Sequence, residues 1–219
     1  MKQIALIHTV RPVLESFPTL LQQVVGEDLL IHNLLDEFLL SNPAAIGRFS
    51  IENRNRLFND IKSCELTGAD IIVVTCSTLT PAVQLVRPFI TVPVVAIDDA
   101  MTAEAVRVAR RIKVVATAQS TLEPTIAKLN QEAAKIGTVI DVDAQDNELA
   151  YTAMKGGDMA THDRLVLAMI EETAGYEAIV LAQASMAHLQ EQAERIAGVP
   201  VLASPRLCCE QVKQLLTEV

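Results

Sequence analysis

Ala69-Asp70-Ile71-Ile72-Val73-Val74-Thr75-Cys76-Ser77-Thr78-Leu79-Thr80-Pro81 carries four β-branched apolar residues straight into a cysteine flanked by hydroxyls, and then into a segment opened by proline. The run reads as a buried strand over residues 71–75 that ends in a thiol, followed by a helix over residues 81–86. The Cys76 sulfur and the amides of Ser77 and Thr78 would then lie near the positive end of a helix dipole, where a thiolate or a bound carboxylate is favoured. The stretch Ala178-Ile179-Val180-Leu181-Ala182-Gln183-Ala184-Ser185-Met186 has the same strand-then-helix character but no cysteine.

Outward from these two stretches, apolar runs of strand length fall at residues 4–8, 29–33, 71–75, 94–97, 114–117, 139–142, 179–182 and 201–203. Helical patterns lie at 100–110, 122–135, 148–173, 187–197 and 208–217. This alternation predicts an α/β protein built on parallel sheet. The Gly156-Gly157 pair splits the longest helical pattern, with Asp158 or Thr161 as the new cap. The chain also repeats itself at a spacing near 108 residues. Ile4-Ala5-Leu6-Ile7-His8-Thr9 aligns with Ile112-Lys113-Val114-Val115-Ala116-Thr117, and Val92-Pro93-Val94-Val95-Ala96 with Val199-Pro200-Val201-Leu202-Ala203. Two similar α/β halves follow. Ligands of parallel sheets collect beyond the carboxyl ends of the strands, so Thr9, Cys76, Thr117 and Ala184 are expected to border one cleft framed by the two halves.

Half of the 219 residues are hydrophobic, enough for a sizeable core. A formal net charge of −9, two Tyr and no Trp leave neither the basic field nor the aromatic platforms that nucleic-acid binding uses. No apolar run approaches the roughly twenty residues of a membrane span. The N-terminus opens on a strand-like stretch at 3–9 instead of a charged and then apolar leader. The expectation is a cytoplasmic protein with no nucleic-acid or membrane partner. Cys64, Cys76, Cys208 and Cys209 show neither CxxC spacing nor disulfide-scaffold density, so neither a metal centre nor a structural disulfide is expected. Cys208 and Cys209 are placed in the first turns of the last helix, one thiol in the core and one half-exposed.

The residues Thr75-Cys76-Ser77-Thr78 with Pro93-Val94-Val95 after them, Ala116-Thr117-Ala118, and Leu181-Ala182-Gln183-Ala184-Ser185-Met186 resemble the aspartate/glutamate/hydantoin racemase superfamily, which includes maleate isomerases and arylmalonate decarboxylases. The resemblance spans essentially the whole chain. It implies two pseudo-symmetric, flavodoxin-like parallel-sheet domains, 1–98 completed by a C-terminal helix over 205–219, and 99–204, with the active site between them. It also implies an enzyme without cofactor or metal, acting at the carbon α to a carboxylate of a small molecule, and a homodimer. In the family's racemases two cysteines face each other across the substrate, one removing the α-proton and the other returning it. Cys76 matches the first; the place of the second reads Ala184, or Gln183 with the gap set one residue differently. A single thiol suits decarboxylation or cis–trans isomerisation of a small dicarboxylate, and a carboxylate-binding protein is a third reading.

Cys76 is accordingly the candidate acid/base thiol, effective if its pKa is brought near neutrality. The candidate substrate-binding residues are His8, Thr9, Thr75, Ser77, Thr78, Thr117, Ala118, Gln119, Gln183, Ala184 and Ser185, with Ser120 a further donor. They are amides, hydroxyls and strand-end groups of the kind that stabilise an enolate-like dianion. His8 either lines the cleft or bonds a loop carbonyl; His162 reads as a solvated first turn of a helix; His32 and His188 carry weaker signals. Arg11 and Arg206 read as surface charges, with Arg206 also able to meet a carboxylate. The mixed-charge runs 104–113 and 190–195 read as solvated helix faces, and Leu34, Leu35, Phe38 and Leu39 as an apolar helix face for a dimer or for the core.

Overall fold

Strand β1 (Lys2–His8) is buried over its last five residues, and its apolar run is therefore continuous instead of alternating, as in a strand covered on both faces. In the computed structural model, which describes residues 1–26, 28–172 and 175–218, β1 pairs in parallel with β2 (Leu29–Leu35) on one side and β3 (Ile71–Val74) on the other. β4 (Val94–Ala96) adds beyond β3, giving the order β2-β1-β3-β4. Helices α1 (Arg11–Val25), α2 (Phe38–Ile46), α3 (Ile51–Glu65) and α4 (Thr80–Val86) make the crossovers. The second sheet repeats the plan: β5 (Arg111–Ala116), β6 (Asp141–Asp146), β7 (Ala178–Leu181) and β8 (Val201–Ala203) stand in the order β6-β5-β7-β8, all parallel. Its helices are α5 (Asp99–Val108), α6 (Leu122–Lys135), α7 (Glu148–Lys155), α8 (Met159–Glu171) and α9 (Gln190–Ala197), and α10 (Ser204–Glu218) closes the chain. The fold is thus α/β with two four-stranded parallel sheets.

The chain divides into two units, Met1–Ile97 with Pro205–Val219, and Asp98–Ser204. In the first, Ala5, Ile7, Ile72 and Val74 of the sheet pack with Leu57 and Ile61 of α3 and Val83 of α4. Lys213 of α10 donates from Nζ to the Val24 carbonyl at the end of α1, 3.0 Å away. In the second, Val115, Ile179 and Leu181 pack with Val166, Met169 and Ile170 of α8 and Ala193 of α9. Lys128, buried on α6, bridges Asp99 of α5 at 2.8 Å and Glu132 at 2.6 Å, which pairs the otherwise costly buried ammonium. No helix among the described residues is long and apolar enough to cross a membrane.

The 148–173 pattern does split at the glycine pair, and Asp158 is the cap: its Oδ1 accepts from Thr161 N at 3.0 Å, while Gly157 takes φ +81°. Thr173, where that pattern ends, and Val219 lie outside the described residues. Several expectations are corrected. The strand expected at 139–142 lies at Asp141–Asp146, and Val139 is exposed. Among the described residues β6 pairs only with β5, and an edge strand facing water has no need of apolar residues; its register is pinned by Asp141 N to Arg110 O at 2.7 Å and by Lys113 to Asp143 at 2.9 Å. Lys113 is accordingly a buried strand residue, not part of a solvated helix face. Leu34 and Leu35 end β2 whereas Phe38 and Leu39 begin α2, so the four share no single helix face. Leu39 is in the core and Phe38 stacks under the Arg56 guanidinium. Both Cys208 and Cys209 are fully buried, because α10 starts at Ser204 and presents the second turn inward; burial pushes the Cys209 thiol up to about 12.

Asp158→Ala removes the side-chain acceptor of the α8 cap and is expected to lower the unfolding free energy by about 1 kcal/mol, read from the urea midpoint at unchanged slope.

Candidate functional site

β1 and β3 end side by side, and their last hydrogen bonds decide what stands at the rim. Thr75 N donates to Ile7 O at 2.9 Å, and the Thr75 hydroxyl lies 3.1 Å from the same carbonyl oxygen and 2.8 Å from His8 Nδ1. His8 Nε2 donates to Asn33 Oδ1 of β2 at 3.1 Å, which leaves Nδ1 of the neutral ring to accept from Thr75. The ring is fully buried, and burial, only partly offset by the Asn33 bond, lowers its pKa. His8 thus lies beneath the strand ends with both nitrogens committed to side chains.

Cys76 follows in extended backbone (φ −129°, ψ 113°) and opens a 3₁₀ turn over Ser77–Leu79, with Leu79 N bonded to Cys76 O at 3.0 Å. Only then does α4 begin. The residue as a whole is half-buried, and the Thr9 and Thr78 hydroxyls and the amides of Thr78 and Leu79 face its sulfur as donors. Burial nevertheless outweighs these donors and pushes the thiol above its usual pKa, so the expected approach to neutrality is absent in the unliganded protein. Ser77 and Thr78 are half-buried beside it, and Thr9 is buried.

The second unit repeats the backbone with different side chains. Gln183 stands two residues past the last paired residue of β7, as Cys76 does past β3, with φ −129° and ψ 135°, and it opens the 3₁₀ segment Ala184–Leu189. Gln183, not Ala184, therefore takes the place that Cys76 holds in the first unit. Its Oε1 accepts from Thr117 N at 2.5 Å, Thr117 Oγ1 at 3.0 Å and Ala118 N at 3.1 Å. Three donors on one carbonyl oxygen is the environment a carboxylate oxygen would seek. Thr117 is buried, Ala118, Ala184 and Ser185 are half-buried, and Gln119 and Ser120 are exposed.

The other candidates scatter. Arg11 is exposed and paired with Glu37 at 3.4 Å, and Arg206 is paired with Glu210 at 3.1 Å along α10. His162 is fully buried, correcting the solvated reading: it occupies the inward face of the first turn of α8, while Asp158 does the capping. A carboxyl pair was missed. Asp36, just past β2, accepts from Phe38 N at 3.1 Å and from the Arg56 guanidinium, and its own amide donates to His8 O at 2.9 Å. Asp60 on α3 is pushed up to about 7, chiefly by burial and then by Asp36. The four-residue Arg56-to-Asp60 spacing on one helix is the signal that could have found it.

The Asp/Glu/Hydantoin racemase family pattern matches residues 42–212. Among solved structures, the chain is similar to an allantoin racemase from Klebsiella pneumoniae at 23% identity and TM-score 0.70, over 100% of this chain and 89% of that one. It is similar to an aspartate racemase homologue from Pyrococcus horikoshii OT3 at 18% identity and TM-score 0.72, over 99% and 100% of the two chains. A glutamate racemase isoform from Bacillus anthracis matches at 14% identity and TM-score 0.75, over 99% of this chain and 82% of that one. No curated protein sequence matches the chain.

Because the folded protein holds the Cys76 proton more tightly than a free thiol, its iodoacetamide alkylation is expected to be slow near neutral pH and still rising above pH 9.0, the ordinary thiol value. Asp60 gives a stability signature of defined sign. A carboxyl whose pKa rises on folding stabilises the fold fully below its unfolded value of 3.8 and loses that contribution as pH climbs to about 7. The unfolding free energy of Asp60→Asn minus that of wild type should therefore grow across this interval in urea titrations, and a flat difference would refute the assignment.

Proposed function

The chain belongs to the Asp/Glu/Hydantoin racemase family, and from that membership we propose that it is a cofactor-independent enzyme of racemase or isomerase type, acting at the carbon α to the carboxylate of a small amino acid or related carboxylate. Cys76 is its acid/base thiol. The observation that carries this reading is the position of that residue: of the four cysteines, all unbridged, Cys76 is the one that is only half-buried, and it stands beyond the end of β3 with hydroxyl and amide donors turned to the sulfur.

Removing a proton next to a carboxylate creates a dianion, and each donor aimed at developing charge contributes on the order of 3 kcal/mol. Thr9 and the Thr78 and Leu79 amides stabilise the Cys76 thiolate when it forms. Thr75, Ser77 and Thr78 in the first unit, and Thr117, Ala118, Gln119, Gln183, Ala184 and Ser185 in the second, are assigned to substrate binding. His8 supports them by fixing the Thr75 hydroxyl.

One observation favours a narrower reaction within the same family. Gln183 holds the place in the second unit that Cys76 holds in the first, and a carboxamide is neither an acid nor a base near neutral pH. A single thiol serves one face of the substrate, which suits a decarboxylase or a cis–trans isomerase of a small dicarboxylate.

Proton NMR in deuterated water, with aspartate, glutamate, hydantoins, maleate and substituted malonates, tests these readings. Wild type is expected to incorporate deuterium, lose carbon dioxide or isomerise a double bond with at least one substrate, and Cys76→Ala to be slower by a factor on the order of 10² or more. Racemic product means both faces are served; a single enantiomer means one. Binding without any turnover across the panel would leave a carboxylate-binding protein in place of the enzyme.

A further inference from the structure

We propose that His162, Asp163 and His188 form a binding site for one divalent transition-metal ion of the zinc class, within the second unit. One ligand atom from each of the three side chains lies within 4.8 Å of the other two. Asp163 Oδ1 is the common partner: His162 Nδ1 stands 2.7 Å from it and His188 Nε2 2.9 Å. The two rings are nearly parallel, 25° apart with centroids 6.2 Å distant.

Three features separate this cluster from ordinary surface pairing. His162 and Asp163 are consecutive residues on α8, and neighbours on a helix diverge by about 100°. Their convergence on His188, which belongs to the 3₁₀ segment Ala184–Leu189, is thus not a by-product of sharing a helix face. His162 is fully buried, and its Nε2 has no hydrogen-bond partner among the described residues. Nδ1, which faces the Asp163 carboxylate from a buried ring, is the nitrogen an ion would meet, and Nε2 stays outside its coordination. The two segments are packed together beneath the cluster: Val166 and Met169 of α8 and Met186 and Leu189 of the 3₁₀ segment belong to one buried core.

The donor set selects the ion. Two imidazoles and one carboxylate suit zinc, nickel, cobalt or copper, whereas calcium and magnesium need more oxygens. Bonds of about 2.05 Å in a tetrahedral site place the ligand atoms roughly 3.3 Å apart. The 2.7 and 2.9 Å separations would therefore open by less than about 1 Å, with the metal replacing the two hydrogen bonds on Oδ1. Side-chain exposures of 29% for Asp163 and 46% for His188 leave an entry path and a fourth position for water. A bound ion would tie the first turn of α8 to the segment that follows Gln183.

Calorimetric titration of the metal-stripped full chain with zinc sulfate tests the site, carried out in wild type and in Cys76→Ala to set aside thiol binding. The expected result is one ion per chain in both, with affinity reduced by more than about tenfold in His188→Ala and in Asp163→Asn. Both variants change partly exposed side chains, and their metal-free melting temperatures are expected to stay near that of wild type. Cobalt substitution gives a second readout: four-coordinate visible absorption bands in Cys76→Ala that are lost in Cys76→Ala/His188→Ala. Absence of stoichiometric zinc binding in Cys76→Ala, or unchanged affinity in both ligand variants, would overturn the proposal.

Discussion

The parallel register of β1 on β3 is the constraint on which the first strand-end cluster depends. Pairing runs from Ile4 with Ile71 to Ile7 with Val74 and stops there, because Thr75 uses its amide on Ile7 O and turns its hydroxyl to His8. A slip of one residue would exchange the faces of every side chain in a strand whose four residues are all buried, so the packing on both faces and the Thr75 contact with His8 would be lost together. The same register delivers Cys76 just past the last paired position and brings Thr9 to its sulfur. Packing of the interior and the arrangement of polar groups at the rim are thus one decision.

The second unit makes that decision again with the same backbone and the opposite chemistry. Cys76 and Gln183 share nearly the same φ, each two residues beyond its strand and each opening a 3₁₀ turn. A cysteine side chain is too short to reach back to the neighbouring strand, so hydroxyl and amide donors must come to the sulfur. A glutamine side chain is long enough to fold back, and its Oε1 takes up the Thr117 and Ala118 amides itself. One unit therefore presents donors around an ionisable atom, and the other satisfies its donors internally with a neutral one.

The strands that lie inside the sheets were legible because burial on both faces demands continuous apolar runs: residues 4–8, 71–75 and 179–182 fall on β1, β3 and β7 within a residue or two. The internal repeat made the shared plan of the two units readable in the same way. Edge position defeated the reading at β6, whose Asp-Val-Asp-Ala-Gln-Asp sequence carries little apolar signal and whose register rests on an ion pair with Lys113. Helix α1 went unread because Pro12 and Pro18 break its pattern, although Pro12 sits in the first turn, where a missing N–H is harmless. At the rim, Cys76 and the Thr117–Gln183 neighbourhood were named from residue type. What sequence could not supply was depth, since burial of His8, His162 and Cys209 depends on neighbours distant in the chain.

Depth also governs the chemistry available to Cys76. The four groups donating to its sulfur each favour the thiolate, yet desolvation outweighs them together, and the resting group is a neutral thiol. A neutral thiol is prepared to give a proton before it is prepared to take one. On the proposed reading, delivery of a proton to a carbanion needs no prior ionisation of the enzyme, whereas abstraction from Cα requires a thiolate that the unliganded site disfavours. On that same reading the sulfur is better prepared to finish a reaction by giving a proton than to begin one by taking it. Gln183, at the equivalent place, is unable to take part in proton transfer.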